Sequence, residues 1–155
     1  MTTATAPLTI EKSIHLPSPR SRVWKALTTA REFSALFGMR FDGEFVAGQP
    51  IAGHMSSKIY GELQIDLVIG EITPETLFSY HWHPFAVDPS IDYSAEPRTL
   101  VTITLADHDG GTLLSVVESG FEQVPAARRA TAFEMNTRGW GAQLENIAKY
   151  LRSDA

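Results

Sequence analysis

The segment after Pro125 places the strongest constraint on how this chain folds. Apolar residues recur there in steps of three and four, which predicts a helix of about 27 residues with one apolar face. The apolar stripe comprises Phe133, Thr137, Trp140, Leu144, Ile147 and Leu151. Gly139 and Gly141 interrupt this helix at a cost of about 1 kcal/mol each. We therefore expect packing to hold the helix and the glycines to allow a close approach of neighbouring backbone.

Most of the preceding chain is typical of antiparallel strands. Short runs of alternating apolar and polar residues are separated by turn residues. The predicted strands are Leu8–Leu16, Asp42–Val46, Ile51–Ile59, Glu62–Ile72, Thr76–His83, Arg98–Ala106 and Thr112–Ser119. Residues 107–111, Asp-His-Asp-Gly-Gly, predict a tight hairpin, because Asp-Gly and Gly-Gly supply the positive φ that such turns need.

Two short helices are predicted after the first strand. Ser18 is a candidate N-cap, and Pro19 suits the first helical turn, where its missing N–H is not needed. This helix extends to about Thr29, and a second helix, Arg31–Phe37, ends at Gly38. Only the C-terminal helix is long enough to cover the sheet. We therefore predict an α+β fold in which a curved antiparallel sheet of about six to seven strands wraps around that helix.

Composition limits the chemistry available to the chain. Its 155 residues favour one domain, 1–155, with residues 1–7 expected to be disordered. The absence of cysteine excludes disulfides, thiol nucleophiles and cysteine metal sites. A net charge of −5 argues against a nucleic-acid partner. No secretory signal is visible, and no apolar run approaches the roughly 18 residues of a membrane span, so we expect a cytoplasmic protein.

Strand alternation predicts an apolar pocket between the sheet and the long helix. A curved sheet around one helix often fails to close fully, and aromatic side chains then border the remaining space. The candidate ligand-binding residues are Trp24, Phe78, Tyr80, Trp82, Leu114, Val116, Glu118, Phe133 and Trp140. The alternative for the three tryptophans is that their side chains simply fill the core, and this alternative is favoured for Trp24. The segment Pro84–Pro97 is a candidate lid, because long irregular loops in small domains are often functional.

Glu118 is the most informative single position. It alternates in phase with Leu114 and Val116, so a carboxylate is expected to point toward the apolar interior. Burial of an unpaired charge is costly, so this group needs a partner or a place at the mouth of the pocket. It could orient a polar ligand group or act as a general base. The alternative is a structural carboxylate paired with an arginine of the long helix such as Arg138.

The sequence offers no positive evidence for a metal, a cofactor or catalysis. His81 and His83 share one strand face, as metal-binding pairs do. They lie opposite the aromatic face and are expected to face solvent, and the third ligands considered, His54 and Asp66, have no further support. There is no Gly-x-Ser-x-Gly nucleophile motif and no glycine-rich phosphate loop.

Four motifs occur in the order found in one known family and extend over nearly the whole chain. They are residues 17–27, ending in VWKAL; 74–82, PETLFSYHW; 110–121, GGTLLSVVESGF; and 139–151, beginning with GWGAQL. With these motifs the chain resembles the START-like (SRPBCC, Bet v 1-like) superfamily and, within it, the Hsp90 ATPase activator homologue (AHSA1-like) family. The family usually has a tryptophan soon after the first helix, where this sequence has Phe33, Leu36 and Phe37.

The resemblance implies a helix-grip fold with a cavity between the sheet and the C-terminal helix. The leading hypothesis is non-catalytic binding of an apolar or amphipathic small molecule in that cavity, without a cofactor. One alternative is an interaction domain for the chaperone Hsp90, as the family name suggests. The other is a cavity enzyme like some START-like relatives, which requires several converging polar groups.

Overall fold

The computed structural model describes residues 8–153, so the predicted disorder of residues 1–7 lies outside the described part of the chain. Two short helices follow the first strand, and a long helix follows the last. In chain order the elements are β1 (Thr9–Leu16), α1 (Arg20–Thr28), α2 (Ala30–Phe37), β2 (Arg40–Phe41), β3 (Pro50–Ile51), β4 (Gly53–Ser57), β5 (Gly61–Gln64), β6 (Leu67–Thr73), β7 (Leu77–Trp82), β8 (Thr99–His108), β9 (Gly111–Ser119), a 3₁₀ turn (Phe121–Gln123) and α3 (Ala126–Arg152).

The main sheet has six antiparallel strands in the order β1-β9-β8-β7-β6-β3. The long helix α3 contributes its apolar stripe to the core that this sheet covers, with Trp140, Leu144, Ile147 and Leu151 each at most 5% exposed. This is the predicted α+β, helix-grip architecture. None of the helices in residues 8–153 has the length and apolar character that crossing a membrane requires.

The long helix and the central hairpin follow the sequence closely. Helix α3 has the predicted 27 residues and begins directly after Pro125. The β8–β9 hairpin turns at Asp109 and Gly110, whose φ angles are 47° and 77°. Helix α2 ends at Gly38 in the left-handed conformation, with φ at 66°.

Two predicted strands are each divided in two. The span 51–59 separates into β3, which joins the main sheet beside β6, and β4, which belongs to a small second sheet of order β2-β4-β5. The span 62–72 likewise separates into β5 and β6. Gly53 explains the break, because a side chain there would collide with the carbonyl oxygen of Ile65 and the ring of Phe41. Only a glycine at position 53 lets the two backbones approach this closely, with the N–H of Ile65 donating a hydrogen bond to the carbonyl of Gly53 at 2.7 Å.

Two further local predictions were wrong. Residues 42–46 do not form a strand; the ring of Phe45 instead packs against the rings of Phe33 and Phe78, at centroid distances of 5.2 and 5.6 Å. Ser18 is not the N-cap of α1. Pro19 occupies that position without a side-chain cap, and the carbonyl of Ser18 instead accepts a hydrogen bond from the hydroxyl of Thr112 at 2.7 Å.

Candidate functional site

Glu118 lies near the C-terminal end of β9, the second strand of the main sheet, on the covered face. It is paired across β9 and β8 with Val101, which is paired in turn with Tyr80 on β7. Directly paired residues in a sheet project to the same side, so the three side chains form one row. All three are 0% exposed, which confirms that a carboxylate points into the interior.

Four neutral side chains donate hydrogen bonds to this carboxylate. The indole Nε1 of Trp82 and the hydroxyl of Thr99 reach Oε2 at 2.8 and 2.6 Å. The indole Nε1 of Trp140 reaches Oε1 at 2.8 Å. The amide nitrogen of Asn136 contacts Oε1 at 3.0 Å and Oε2 at 3.2 Å. Two donors come from strands β7 and β8 and two from α3, so one carboxylate joins the sheet to the helix that it covers.

The predicted pairing of Glu118 with Arg138 was wrong. Arg138 forms an exposed pair with Glu134, one helical turn earlier, at 2.8 Å. Among residues 8–153, no cationic side chain lies within ion-pair distance of Glu118. Hydrogen bonds to a charged acceptor are shorter and stronger than neutral ones, and here they replace the water that burial removes. The negative charge is solvated by donors but is not neutralised.

Tyr80 is an unusual neighbour of this charge. Its hydroxyl is buried and has no hydrogen-bond partner among the described residues. Burial, followed by the negative charge of Glu118, raises the pKa of Tyr80 well above its ordinary value. The phenol therefore stays protonated at neutral pH, and its donor is unused.

A cleft of about 160 Å³ opens beside the two indoles. Its residues come from the C-terminal end of α2, the end of β7 and the middle of α3. They are Phe37, Trp82, Asn136, Gly139, Trp140 and Gln143. The rings of Trp82 and Trp140 are 6.2 Å apart and inclined at 38°, and the ring of Phe37 meets that of Trp140 edge-on at 5.9 Å. The walls are aromatic, and the two amide side chains supply its polar groups.

The predicted ligand-binding residues fall into three groups. Trp82 and Trp140 border the cleft, and Glu118 lies directly behind their N–H groups. Four others are buried in the core away from the cleft: Phe78, Tyr80, Leu114 and Val116. The last two pack elsewhere: Trp24 is half-buried on α1, and Phe133 packs edge-on against Phe121 at 5.3 Å.

Sequence reasoning missed four residues of the cleft. Asn136, Gly139 and Gln143 lie on α3 at helical spacing with Trp140, along the border of the apolar stripe. That spacing was visible in the sequence, but polar and glycine positions beside an apolar stripe ordinarily face solvent. Phe37 was noted only as a departure from the family pattern.

The predicted lid does not border this cleft. Arg128 in the first turn of α3 holds residues 84–97, with 2.6 Å contacts to the carboxylate of Glu96 and the carbonyl of Pro84. Its guanidinium also lies 4.8 Å from the centre of the Tyr93 ring. The loop instead borders a separate polar cleft of about 430 Å³ near β5.

The two strand histidines are partly buried rather than exposed. Within the described residues, no group of three or more histidine and acidic side chains is arranged to hold a metal ion. His83, expected to face solvent, is half-buried, and its Nε2 contacts the carbonyl of Glu96 at 3.0 Å. Burial, and then the charge of Arg98, lowers the pKa of His83, so its ring is neutral at pH 7.

Comparison with known proteins identifies the family to which this chain belongs. The family described as Activator of Hsp90 ATPase homolog 1-like protein matches residues 17–152. The chain belongs to this family. Phe37, one of the three residues noted as a departure from the family pattern, borders the cleft. No curated protein matches the chain significantly in sequence.

Solved structures show the same fold at low sequence identity. A crystal structure of a Mesorhizobium loti protein has a TM-score of 0.74 at 22% identity, covering 95% of this chain and 98% of that one. A solution structure from Arthrobacter aurescens has a TM-score of 0.76 at 16% identity, covering 97% and 93%. The Aha1 dimer from Colwellia psychrerythraea has a TM-score of 0.67 at 14% identity, covering 90% and 92%. At these identities the likeness concerns the fold.

Proposed function

We propose that this family member binds a small apolar or amphipathic molecule in the cleft bordered by Trp82 and Trp140, without chemical conversion of the ligand. One observation carries the proposal: both indole rings are fixed by hydrogen bonds to Glu118, while the cleft opens beside them. Walls that are already ordered do not lose side-chain freedom when a ligand enters. Such preorganisation removes part of the entropic cost of binding.

The size of the cleft limits the ligand and its affinity. A volume of about 160 Å³ corresponds to roughly five water molecules at about 30 Å³ each. Burial of about 100–200 Å² of ligand surface contributes about 2.5–5 kcal/mol before the costs of association. We therefore expect a ligand head group of a few heavy atoms, and apolar burial alone allows a Kd no tighter than about 0.2 mM, so tighter binding needs polar contacts.

The environment of Glu118 favours binding over catalysis. A general base needs a free lone pair within hydrogen-bond reach of the substrate proton. Both oxygens of Glu118 already accept hydrogen bonds from protein groups. The carboxylate acts on the cleft through its charge and through the positions of the two indoles.

The test is native mass spectrometry of the purified protein with two matched variants. An added Cβ at Gly139 would meet no described atom within 4 Å outside the backbone of its own helix, and Gly139 borders the cleft, so Gly139→Leu is designed to occupy the cleft. Gly141→Leu is the control, because position 141 lies on the same helix outside the cleft and its Cβ would touch only the flexible end of Lys12, at 3.9 Å. Both changes replace a helical glycine and are expected to stabilise the protein by about 0.5–1 kcal/mol.

We expect a bound small molecule in the wild type and in Gly141→Leu, and its loss in Gly139→Leu. Because Gly139→Leu is expected to be at least as stable as the wild type, a lost ligand cannot be attributed to unfolding. A protein free of any small molecule, or a ligand retained by Gly139→Leu, would count against the proposal.

A second candidate function is association with Hsp90. It is supported by the family description and by the likeness of the fold to Aha1. The measurement is the ATPase rate of purified Hsp90 with and without this protein. Stimulation that persists in Gly139→Leu would favour this function over ligand binding in the cleft.

A further inference from the structure

We infer that the ligand of this cleft is an organic ammonium ion, an inference that rests on the proposed function and names the ligand class for the same site. The first observation concerns the two amide side chains at the cleft. Asn136 directs its NH₂ group to the carboxylate of Glu118, and Gln143 directs its NH₂ group to the carbonyl of Leu36 at 3.1 Å. Both partners only accept hydrogen bonds, so both amide orientations are fixed.

The two amide oxygens therefore remain as acceptors for a ligand. The amide oxygens of Asn136 and Gln143 have no hydrogen-bond partner among the described residues. The donors of Trp82 and Trp140 are both used on Glu118. A ligand that brings donors can therefore bond both amide oxygens, whereas a ligand that brings only acceptors must use a second N–H of the amide groups.

The distribution of charge around the cleft also favours a ligand that carries hydrogen-bond donors and a positive charge. Glu118 is fully buried and has no cationic partner within residues 8–153, and none of the six residues bordering the cleft is cationic. Asn136 touches the carboxylate and also borders the cleft, so a single amide group separates the two. At that separation, in a partly buried site, salt screens the attraction poorly. A cation in the cleft lies in the field of an unneutralised carboxylate.

The aromatic walls of the cleft are the third observation that favours an ammonium ligand. The faces of indole rings attract cations through the ring quadrupole, and groups of aromatic rings recognise organic ammonium ions in this way. Trp82 and Trp140 direct their N–H edges at Glu118 and border the cleft with other parts of their rings. Aromatic rings at the cleft, acceptor oxygens and a buried negative charge together favour an ammonium group with a short carbon chain.

The test compares three ligands of similar size at constant ionic strength: butylammonium, 1-butanol and butanoate. The readout is the pair of indole Nε1–H signals of Trp82 and Trp140 in ¹H–¹⁵N NMR spectra, with Trp24 as the internal control outside the cleft. We expect butylammonium to bind at least about tenfold more tightly than 1-butanol, a difference of about 1.4 kcal/mol. Butanoate is expected to produce no shift.

A matched pair of charge variants at Gln143 sharpens the test. The carbonyl of Leu36 also accepts a hydrogen bond from Asn146 at 2.8 Å, so replacement of Gln143 leaves it satisfied. Gln143→Glu is expected to increase the affinity for butylammonium severalfold, and Gln143→Lys to decrease it severalfold. The affinity for 1-butanol should be the same in both.

The outcomes separate this inference from the proposal on which it rests. If 1-butanol binds as tightly as butylammonium, or if the two Gln143 variants do not differ, the cleft binds small molecules without regard to charge and the ammonium inference fails. If none of the three ligands shifts the signals of Trp82 and Trp140, the proposed binding function fails as well.

Discussion

At the scale of single residues, Glu118 determines the properties of the site. Its burial followed from strand alternation with Leu114 and Val116, and the structure confirms it. Its partners could not be predicted in the same way, because the donors lie 18 to 36 residues away in sequence and meet only when α3 packs on the sheet. The sequence suggested an arginine because opposite charges are the simplest partners, whereas the fold supplies neutral donors instead.

We expect Glu118→Gln to lower the free energy of unfolding by about 2–4 kcal/mol, measured by urea denaturation. A glutamine presents one NH₂ group toward neighbours that themselves donate, so at least one buried donor loses its acceptor. Glu134→Gln is the control, because Glu134 is exposed and paired only with Arg138, and we expect a change within about 0.5 kcal/mol. Equal stability of the two variants would show that the hydrogen bonds to Glu118 contribute little.

At the scale of elements, those that depend on interactions between residues close in sequence were predicted correctly, and those that depend on distant contacts were not. Helix α3 and the β8–β9 hairpin depend on local periodicity and turn chemistry, and both were predicted correctly. The divided strands around Gly53 depend on the backbone segment that lies beside them in the fold. Local sequence patterns carry no information about that neighbour. The position of the 84–97 loop likewise depends on Arg128, which is distant in sequence.

Arg128→Ala should release this loop. Arg128 and Glu96 have side chains that are each only 18% exposed, and the same guanidinium also holds the carbonyl of Pro84. Loss of these contacts leaves the Glu96 carboxylate unpaired, and we expect hydrogen exchange of backbone amides in residues 84–97 to accelerate by at least about tenfold. Arg129→Ala is the control, since the only hydrogen bond of the Arg129 side chain within residues 8–153 goes to the carbonyl of Val124. Unchanged exchange in Arg128→Ala would show that the loop is held by other contacts.

At the scale of the whole molecule, a second buried carboxylate joins the helices. Glu32 on α2 accepts hydrogen bonds from Arg22 on α1 at 2.8 Å and from Tyr150 on α3 at 2.6 Å. Burial alone would raise the pKa of Glu32, but the hydrogen bonds from Tyr150 and Arg22, with the charge of Arg22, outweigh it and lower the pKa below 4.5. Ionised Glu32 therefore stabilises the packing of all three helices.

This arrangement predicts a pH dependence of global stability. A carboxyl group whose pKa is lower in the folded state contributes stability that is fully present above its ordinary pKa and is lost as the pH falls through the folded value. The difference in free energy of unfolding between the wild type and Glu32→Gln should be constant above about pH 5 and should shrink below pH 4.5. Denaturation curves measured from pH 7 to pH 3 test this, and a difference that is independent of pH would contradict it.

The paired indoles have an optical consequence. Trp82 and Trp140 are 6.2 Å apart and inclined at 38°, so their electronic transitions are close enough to couple. Coupled chromophores at a fixed skew produce paired bands of opposite sign in circular dichroism, and the size of these bands depends on distance and angle. Because both indoles donate hydrogen bonds to Glu118, these circular dichroism bands report on the geometry around Glu118.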